Sequence, residues 1–318
     1  MKRALFFCLT TSLALALGGG RAHAECGLPD PDDDGERPRG AGWHAPRHGH
    51  VNPVDDDRDD EAAEEDDDGS EHDLATQLPV EGPIALRLET VSADVMVTAS
   101  AGRFIAVHVE EGSAPEVTVV ARGEHRYELV FGGHAVLRSG RLMVTVPAQS
   151  QLEISTVSGD VAVNGVGGHL RVRSTSGDQR VAGALDVDAR SISGDLSFAA
   201  IHGAVHVRTI SGDVRVLTTP GTVGRLDVTS TSGDIQWSGL CGRDCRIDAR
   251  TTSGDVQLAL DPASSFDLVW CTHSGDLDDA AQLAIAERTE GSARGRRGRG
   301  EGAISVETFS GDLAMAVR

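Results

Sequence analysis

From residue 151 to the end of the chain, apolar residues fall on alternate positions in short runs. The parity of the alternation switches at a recurring tripeptide, Ser-Gly-Asp, whose serines are Ser158, Ser176, Ser193, Ser211, Ser232, Ser253, Ser274 and Ser310. Six and four residues before these serines stand pairs such as Leu152/Ile154, Leu170/Val172, Val205/Val207, Leu226/Val228 and Ile304/Val306. Three and five after them stand Val161/Val163, Leu196/Phe198, Val214/Val216, Ile235/Trp237, Val256/Leu258 and Leu313/Met315. An altered copy, Ser92-Ala93-Asp94, carries Leu86/Leu88 before it and Val95/Val97 after it. Period-two alternation marks a strand with one buried face. A parity switch at Gly-Asp marks a corner, where the chain bends and keeps its apolar residues inside.

Successive serines lie 18, 17, 18, 21, 21, 21 and 36 residues apart, and a period near 20 is the mark of a repeat architecture. Strand, corner, strand and return loop make one coil. A single coil cannot bury its apolar face, so coils must stack. The expected fold is all-β, a parallel β-solenoid (β-helix) with coils of 17–21 residues. Glycine suits the corner because it tolerates positive φ; the corner glycines are Gly159, Gly177, Gly194, Gly212, Gly233, Gly254, Gly275 and Gly311. An aromatic content of 3% agrees with a thin aliphatic core.

The remainder of the chain divides by composition. Residues 1–24 read as a signal peptide: Lys2 and Arg3, an apolar stretch from Ala4 to Leu17, and the cleavage motif Ala22-His23-Ala24. Residues 25–80 read as an acidic linker, expected to be disordered. Between Glu25 and Asp73 stand 19 acidic residues and 4 arginines, a net −15 out of −20 for the chain. Residues 81–150 read as a less regular N-terminal β region that caps the first coil, since open solenoid ends are exposed edges. Residues 151–318 carry the solenoid, with an insertion at 278–302. In that insertion, Asp278 or Asp279 could cap a short helix through Ala280 to Glu287. Arg294, Arg296, Arg297 and Arg299 read as a flexible basic loop that could pair with the acidic linker or an outside anionic polymer. The last coil, Ala303 to Arg318, reads as the uncapped end, open to self-association by strand addition. No stretch after the leader is long and apolar enough for a membrane helix.

The coil pattern L-x-V-x-T-x-S-G-D-V-x-V, preceded by Leu142-Met-Val-Thr-Val-Pro147, resembles the bacterial putative-adhesin family over residues 81–318. The resemblance implies an exported β-solenoid and offers no catalytic residues. The acidic linker and the basic insert are not part of that resemblance.

The candidate chemistry is sparse. The recurring aspartates Asp160, Asp178, Asp195, Asp213, Asp234, Asp255, Asp276 and Asp312 would stack about 4.8 Å apart. The structural reading is that each satisfies amides at its corner. The alternative is calcium between neighbouring coils, at Asp160, Asp178, Asp195, Asp213, Asp234, Asp255 and Asp276. A catalytic carboxylate pair would be one special pair, whereas this one recurs in every coil. The Thr or Ser two before each motif, and the motif serine, are expected to form hydroxyl ladders along the stack. Cys241 and Cys245 are expected to form a local disulfide; Cys271 could pair with Cys26, stay free, or join His273 in a metal site. No catalytic residue, cofactor site or firm metal site emerges.

A net −8 from Leu74 onward argues against nucleic acid as a partner. The expected function is a non-enzymatic, exported, adhesin-like binding protein, found in the periplasm, at the cell surface or secreted. It would present stacked β faces to an envelope or extracellular polymer or to a protein. The alternatives are a periplasmic scaffold or sensor, and a β-helical enzyme acting on polysaccharide.

Overall fold

A computed structural model describes residues 74–318, apart from 111–115, 133–135 and 219–223. Residues 1–73, the stretch read as a leader and most of the stretch read as an acidic linker, lie outside the described residues. Six strands come first: β1 (Leu74–Pro79), β2 (Ala85–Ser100), β3 (Phe104–Glu110), β4 (Val117–Gly123), β5 (Arg126–Phe131) and β6 (Val136–Pro147). The coils then follow as pairs: β7 (Gln151–Thr156) with β8 (Val161–Asn164), β9 (His169–Ser174) with β10 (Gln179–Ala182), and β11 (Asp186–Arg190) with β12 (Leu196–Ala199). Next are β13 (Ala204–Ser211) with β14 (Val214–Leu217), β15 (Arg225–Ser232) with β16 (Ile235–Gly239), and β17 (Arg246–Ser253) with β18 (Val256–Leu260). Then β19 (Phe266–Ser274) and β20 (Leu277–Asp279) precede the hairpin β21 (Ala284–Arg288) and β22 (Ser292–Arg297); β23 (Gly302–Ser310) and β24 (Leu313–Val317) end the chain. No described residue is helical.

The coils form a parallel β-solenoid with two ladders that meet at the Ser-Gly-Asp corner. The strands before the corner stack in register from β2 through β7, β9, β11, β13, β15 and β17. The strands after it stack from β2 through β8, β10, β12, β14, β16 and β18. Inward residues line up as columns: Leu152 over Leu170, Ile154 over Val172, Val161 under Val95. Their side chains are buried on both neighbours, as are the return-loop residues Val166, Ala184 and Ile201 on the third side.

The corner is a stack of backbones. Gly177 has φ +106, and a Cβ there would sit far inside the contact distance of the Gly159 carbonyl; Gly194 meets Gly177 in the same way, and so on along the corner. Each corner aspartate is bonded to the next. The amide of Asp160 donates to Oδ1 of Asp94 at 2.9 Å, and the chain of bonds runs on through Asp178, Asp195, Asp213, Asp234, Asp255, Asp312 and Asp276 at 2.8–3.0 Å. The hydroxyls behave in two ways. The motif serines reach the preceding coil, as Ser176 Oγ does to the Val157 carbonyl. In the coils from β7 to β14 the inward Thr or Ser two before the motif turns back on its own corner instead, as Thr156 donates to the Ser158 carbonyl and Ser174 to that of Ser176, whereas the buried hydroxyls of Thr90, Ser230 and Thr251 have no partner among the described residues. The expected inward ladder is therefore replaced by local bonds, since a carbonyl two residues away is nearer than the next coil. The Thr308–Thr272 bond, at 2.9 Å, does cross coils.

The order of the coils departs from chain order at the far end. The last coil, β23–β24, lies between β17–β18 and β19–β20, and both of its edges are paired. Ser253 and Ser274 both register on Ser310. The last coil is therefore interior, and strand addition at it is ruled out by its own neighbours. The outer edge of β19 is closed by β22, which pairs with it antiparallel, and β21 pairs with β22. The insertion is thus a β-hairpin cap rather than a helix followed by a flexible loop. An unpaired β19 edge offers a row of donors and acceptors, and satisfying them outweighs the modest helix propensity of the Ala-rich segment. Arg296 also donates to Asp267 Oδ2 at 3.0 Å, a hydrogen bond that holds the Asp267 carboxyl below its usual range.

At the near end the solenoid starts inside the 81–150 stretch. β2 makes a full coil around Ser92-Ala93-Asp94. Outside it lie β5 and β6, which pair with the two halves of β2 in parallel. Ser139-Gly140-Arg141 registers on Ser92-Ala93-Asp94, so it is a worn corner with arginine in the aspartate position. Antiparallel β3 and then β1 cover β6, and β4 covers β5. Strand β1 takes up residues at the end of the stretch read as linker.

Candidate binding face

Residues that point outward from the ladder before the corner form columns on the first face. Three residues before the corner serine stand Glu89, Ser155, Arg173, Arg190, Arg208, Thr229, Arg250, Glu307 and Cys271, in coil order. Arg173, Arg190 and Arg208 therefore occupy three successive rungs, about 4.8 Å apart. The neighbouring column, two residues further from the corner, supplies acids that hold them. Arg173 pairs with Glu153 at 3.0 Å, Arg171 with Asp188 at 3.2 Å, and Arg190 with Asp188 at 3.6 Å. Arg208 has no carboxylate within ion-pair distance among the described residues. About half of each paired arginine side chain stays in solvent: 47% for Arg173 and 49% for Arg190.

The β4–β5 hairpin stands beside these columns and turns the face into a shallow groove of about 980 Å³. Arg122, Arg126 and Tyr127 come from the hairpin; Arg87, Arg171, Arg190 and Arg208 come from the coils. Tyr127 is the chain's only tyrosine. His169, bonded to Asp186 at 3.0 Å, and His206 line the outer side. At the position before the corner serine, Val157, Ile192 and Ile210 are apolar and about half in solvent, whereas Thr175, Thr231 and Thr252 fill it in other coils. The second face differs. Its outward residues include Ala162, Ala182, Ser197, Ala199, Gln257, Ala259, Ala314 and Ala316, and its outward arginines, Arg180 and Arg215, are paired with corner aspartates.

The aspartates named from the sequence stand together in one ladder, but not as a clustered site. Each Oδ1 from Asp160 through Asp255 is committed to the next amide. The second oxygens of Asp178 and Asp213 pair with Arg180 and Arg215, each at 2.9 Å. A calcium ion between coils would have to use the remaining Oδ2 atoms. Among the described residues no group of three or more His, Cys, Asp or Glu is placed to hold a metal ion. Asp195→Asn keeps the acceptor for the Asp213 amide and removes a charge, so it should leave the urea midpoint nearly unchanged. Asp195→Ala removes the acceptor and should cost about 1 kcal/mol.

Cys241 and Cys245 are joined by a disulfide across their return loop and are buried. Cys271 is also disulfide-bonded, so it is neither a free thiol nor a metal ligand. His273 stacks on Phe309 of the adjacent coil, with centroids 4.7 Å apart.

The sequence profile of the Toastrack DUF4097 family matches residues 84–316. The chain belongs to that family. The matched stretch runs from just before β2 to within β24, so it takes in the coils, the strands β3 to β6 and the β21–β22 hairpin. No curated protein matches this Toastrack chain. Two crystal structures are similar to it. One is described as a putative cell adhesion protein from Clostridium sporogenes, at 10% identity, covering 77% of this chain and 100% of that one with a TM-score of 0.27. The other is described as a putative adhesin from Parabacteroides merdae, at 9% identity, covering 77% and 95% with a TM-score of 0.23.

Proposed function

We propose that this Toastrack protein is an exported, non-enzymatic, adhesin-like binding protein whose first face takes an anionic polymer. The observation that carries the reading is the column of Arg173, Arg190 and Arg208. It offers half-exposed guanidinium groups at a fixed repeat, which suits a polymer with regularly spaced carboxylates or sulfates. Each contact is weak, and a ladder of them adds up. The groove's charged groups are spread along rungs rather than converging on one reacting atom, which supports binding over turnover.

The test is binding of the purified chain to sulfated, carboxylated and neutral polysaccharides. The charged polymers should bind and dextran should not, with affinity falling as salt rises. The triple variant Arg173→Glu, Arg190→Glu, Arg208→Glu should bind about tenfold more weakly, from roughly 0.5 kcal/mol per exposed contact. Equal binding by the triple variant would remove the face from the account.

A further inference from the structure

The corner aspartates fall into two groups. From Asp160 to Asp213 each carboxylate has an arginine: Arg180 spans Asp160 at 3.7 Å and Asp178 at 2.9 Å, and Arg215 spans Asp195 at 3.4 Å and Asp213 at 2.9 Å. Both arginines stand two residues after a corner aspartate. Further along the stack that position holds Gln236, Gln257, Ala314 and Asp278, after Asp234, Asp255, Asp312 and Asp276. Among the described residues no arginine or histidine lies within ion-pair distance of these four carboxylates. Asp234, Asp255 and Asp312 each give one oxygen to the next corner amide, at 2.8–2.9 Å, which leaves the second oxygen of each uncommitted. Their coils stack in the order β15, β17, β23, so the three occupy successive rungs.

The arginine column is the converse. Arg173, Arg190 and Arg208 register directly on one another, and the rungs on either side hold the uncharged Ser155 and Thr229. Two acids, Glu153 and Asp188, serve Arg171, Arg173 and Arg190 between them. Positive charges on adjacent rungs repel one another, so a row of carboxylates laid over them is stabilising. Between this column and the corner, Val157, Ile192 and Ile210 leave about half of their surface in solvent.

The two rows match in sign, in number and in repeat. Both repeats are set by the strand stacking of the same fold, about 4.8 Å. Three guanidinium–carboxylate contacts therefore form together without deforming either rod, and Arg190 meets Asp255 whichever way the second rod points. The shapes match as well. The corner is a convex edge whose Gly233, Gly254 and Gly311 carry no side chain, and the first face is hollowed by the β4–β5 hairpin. The rows lie in different parts of one stiff stack, β9 to β13 and β15 to β23, so a chain cannot bring its own two together.

We propose that the first face of one chain takes the far corner of a second copy, with the Arg173, Arg190 and Arg208 column on the Asp234, Asp255 and Asp312 row. No strand edge takes part. The contact covers Val157, Ile192 and Ile210. Its two patches differ, so it is heterologous: every pair keeps one free face and one free corner, and chains add one to the next. Exposed ion pairs are individually weak, so assembly depends on concentration and on salt. A second copy and an outside polyanion use the same arginines and exclude each other, but the self-contact does not rest on the proposed function.

The test is sedimentation velocity of the full chain at low salt, over a concentration series and without polymer. The parent should show a mean mass that rises with concentration and falls back as salt is added. A face variant carries Arg173→Gln, Arg190→Gln and Arg208→Gln. A corner variant carries Asp234→Asn, Asp255→Asn and Asp312→Asn, whose side-chain carbonyls still accept the corner amides. Both should unfold in urea close to the parent's midpoint, and each alone should stay monomeric. Their equimolar mixture should stop at a one-to-one pair, because only the corner variant's face and the face variant's corner are intact. A parent that stays monomeric, a variant that assembles as the parent does, or a mixture of folded variants without the pair would overturn the proposal. The corner variant keeps its arginine column and should still hold a sulfated polymer. Polymer binding absent from the parent, with the pairing intact, would strike the proposed function alone.

Discussion

Gly212→Ala is expected to destabilise the solenoid by about 3–5 kcal/mol, among the largest effects of any single methyl in the chain. Two costs add. The residue holds φ +120, a conformation that L side chains rarely adopt. A Cβ there would also drive into the carbonyl of Gly194 on the coil beneath. Neither can be relieved alone, because rotating the backbone breaks the Asp213 amide bond to Asp195 and separating the coils breaks both ladders. Gly242→Ala is the control. Its Cβ would meet open space, so its effect should stay within a few tenths of a kcal/mol. Urea unfolding of the two variants beside the parent checks the pair. Similar midpoints for both would mean that the corner is looser than its register implies.

Removing residues 301–318 is expected to disrupt more than the segment removed. The lost coil contributes Ile304, Val306, Leu313 and Met315, all buried. At about 1.5–3 kcal/mol each, roughly 6–12 kcal/mol of apolar burial disappears. A terminal coil would fray and leave its neighbour intact. Here the segment joins β17–β18 to β19–β20, so both of those coils lose a partner and expose open edges. Hydrogen exchange should show loss of protection from β17 through β22, with β7 to β13 unchanged, and the shortened chain should associate. Protection retained in β19 after truncation would contradict the threading.

Much of the coil was legible because strand alternation is a direct record of which side chains face inward. Leu152/Ile154 and Val161/Val163 state the two ladders and the corner between them. The order of coils was not legible. Inward columns of Val, Leu and Ile fit any neighbour, so nothing in Ile304 or Val306 says that they stack on Ile247 and Leu268 rather than lying beyond both. The spacing of 36 before Ser310 marked the insertion, but not the reversal it permits. The hairpin β21–β22 was hidden because Ala280 to Glu287 has fair helix propensity, and the demand of the β19 edge decides it. Ser139-Gly140-Arg141 is not legible as a corner in the sequence because the aspartate is missing. Gln179 breaks the inward pattern; it is buried where its neighbours are Val161 and Leu196, and its Nε2 donates to the Arg190 carbonyl at 3.4 Å. The arginine column did have a signal. Arg173, Arg190 and Arg208 each stand three residues before a corner serine, yet attention to the inward positions passes over outward ones.

The central claim is that the first face, along its arginine column, is the working surface of this Toastrack protein. The most direct measurement is arginine protection by a bound sulfated polysaccharide, read residue by residue. The account predicts protection of Arg173, Arg190 and Arg208, with Arg103 and Arg318 labelled as in the free chain. Protection confined to Arg294 and Arg299 on the end hairpin, or none anywhere, would contradict it.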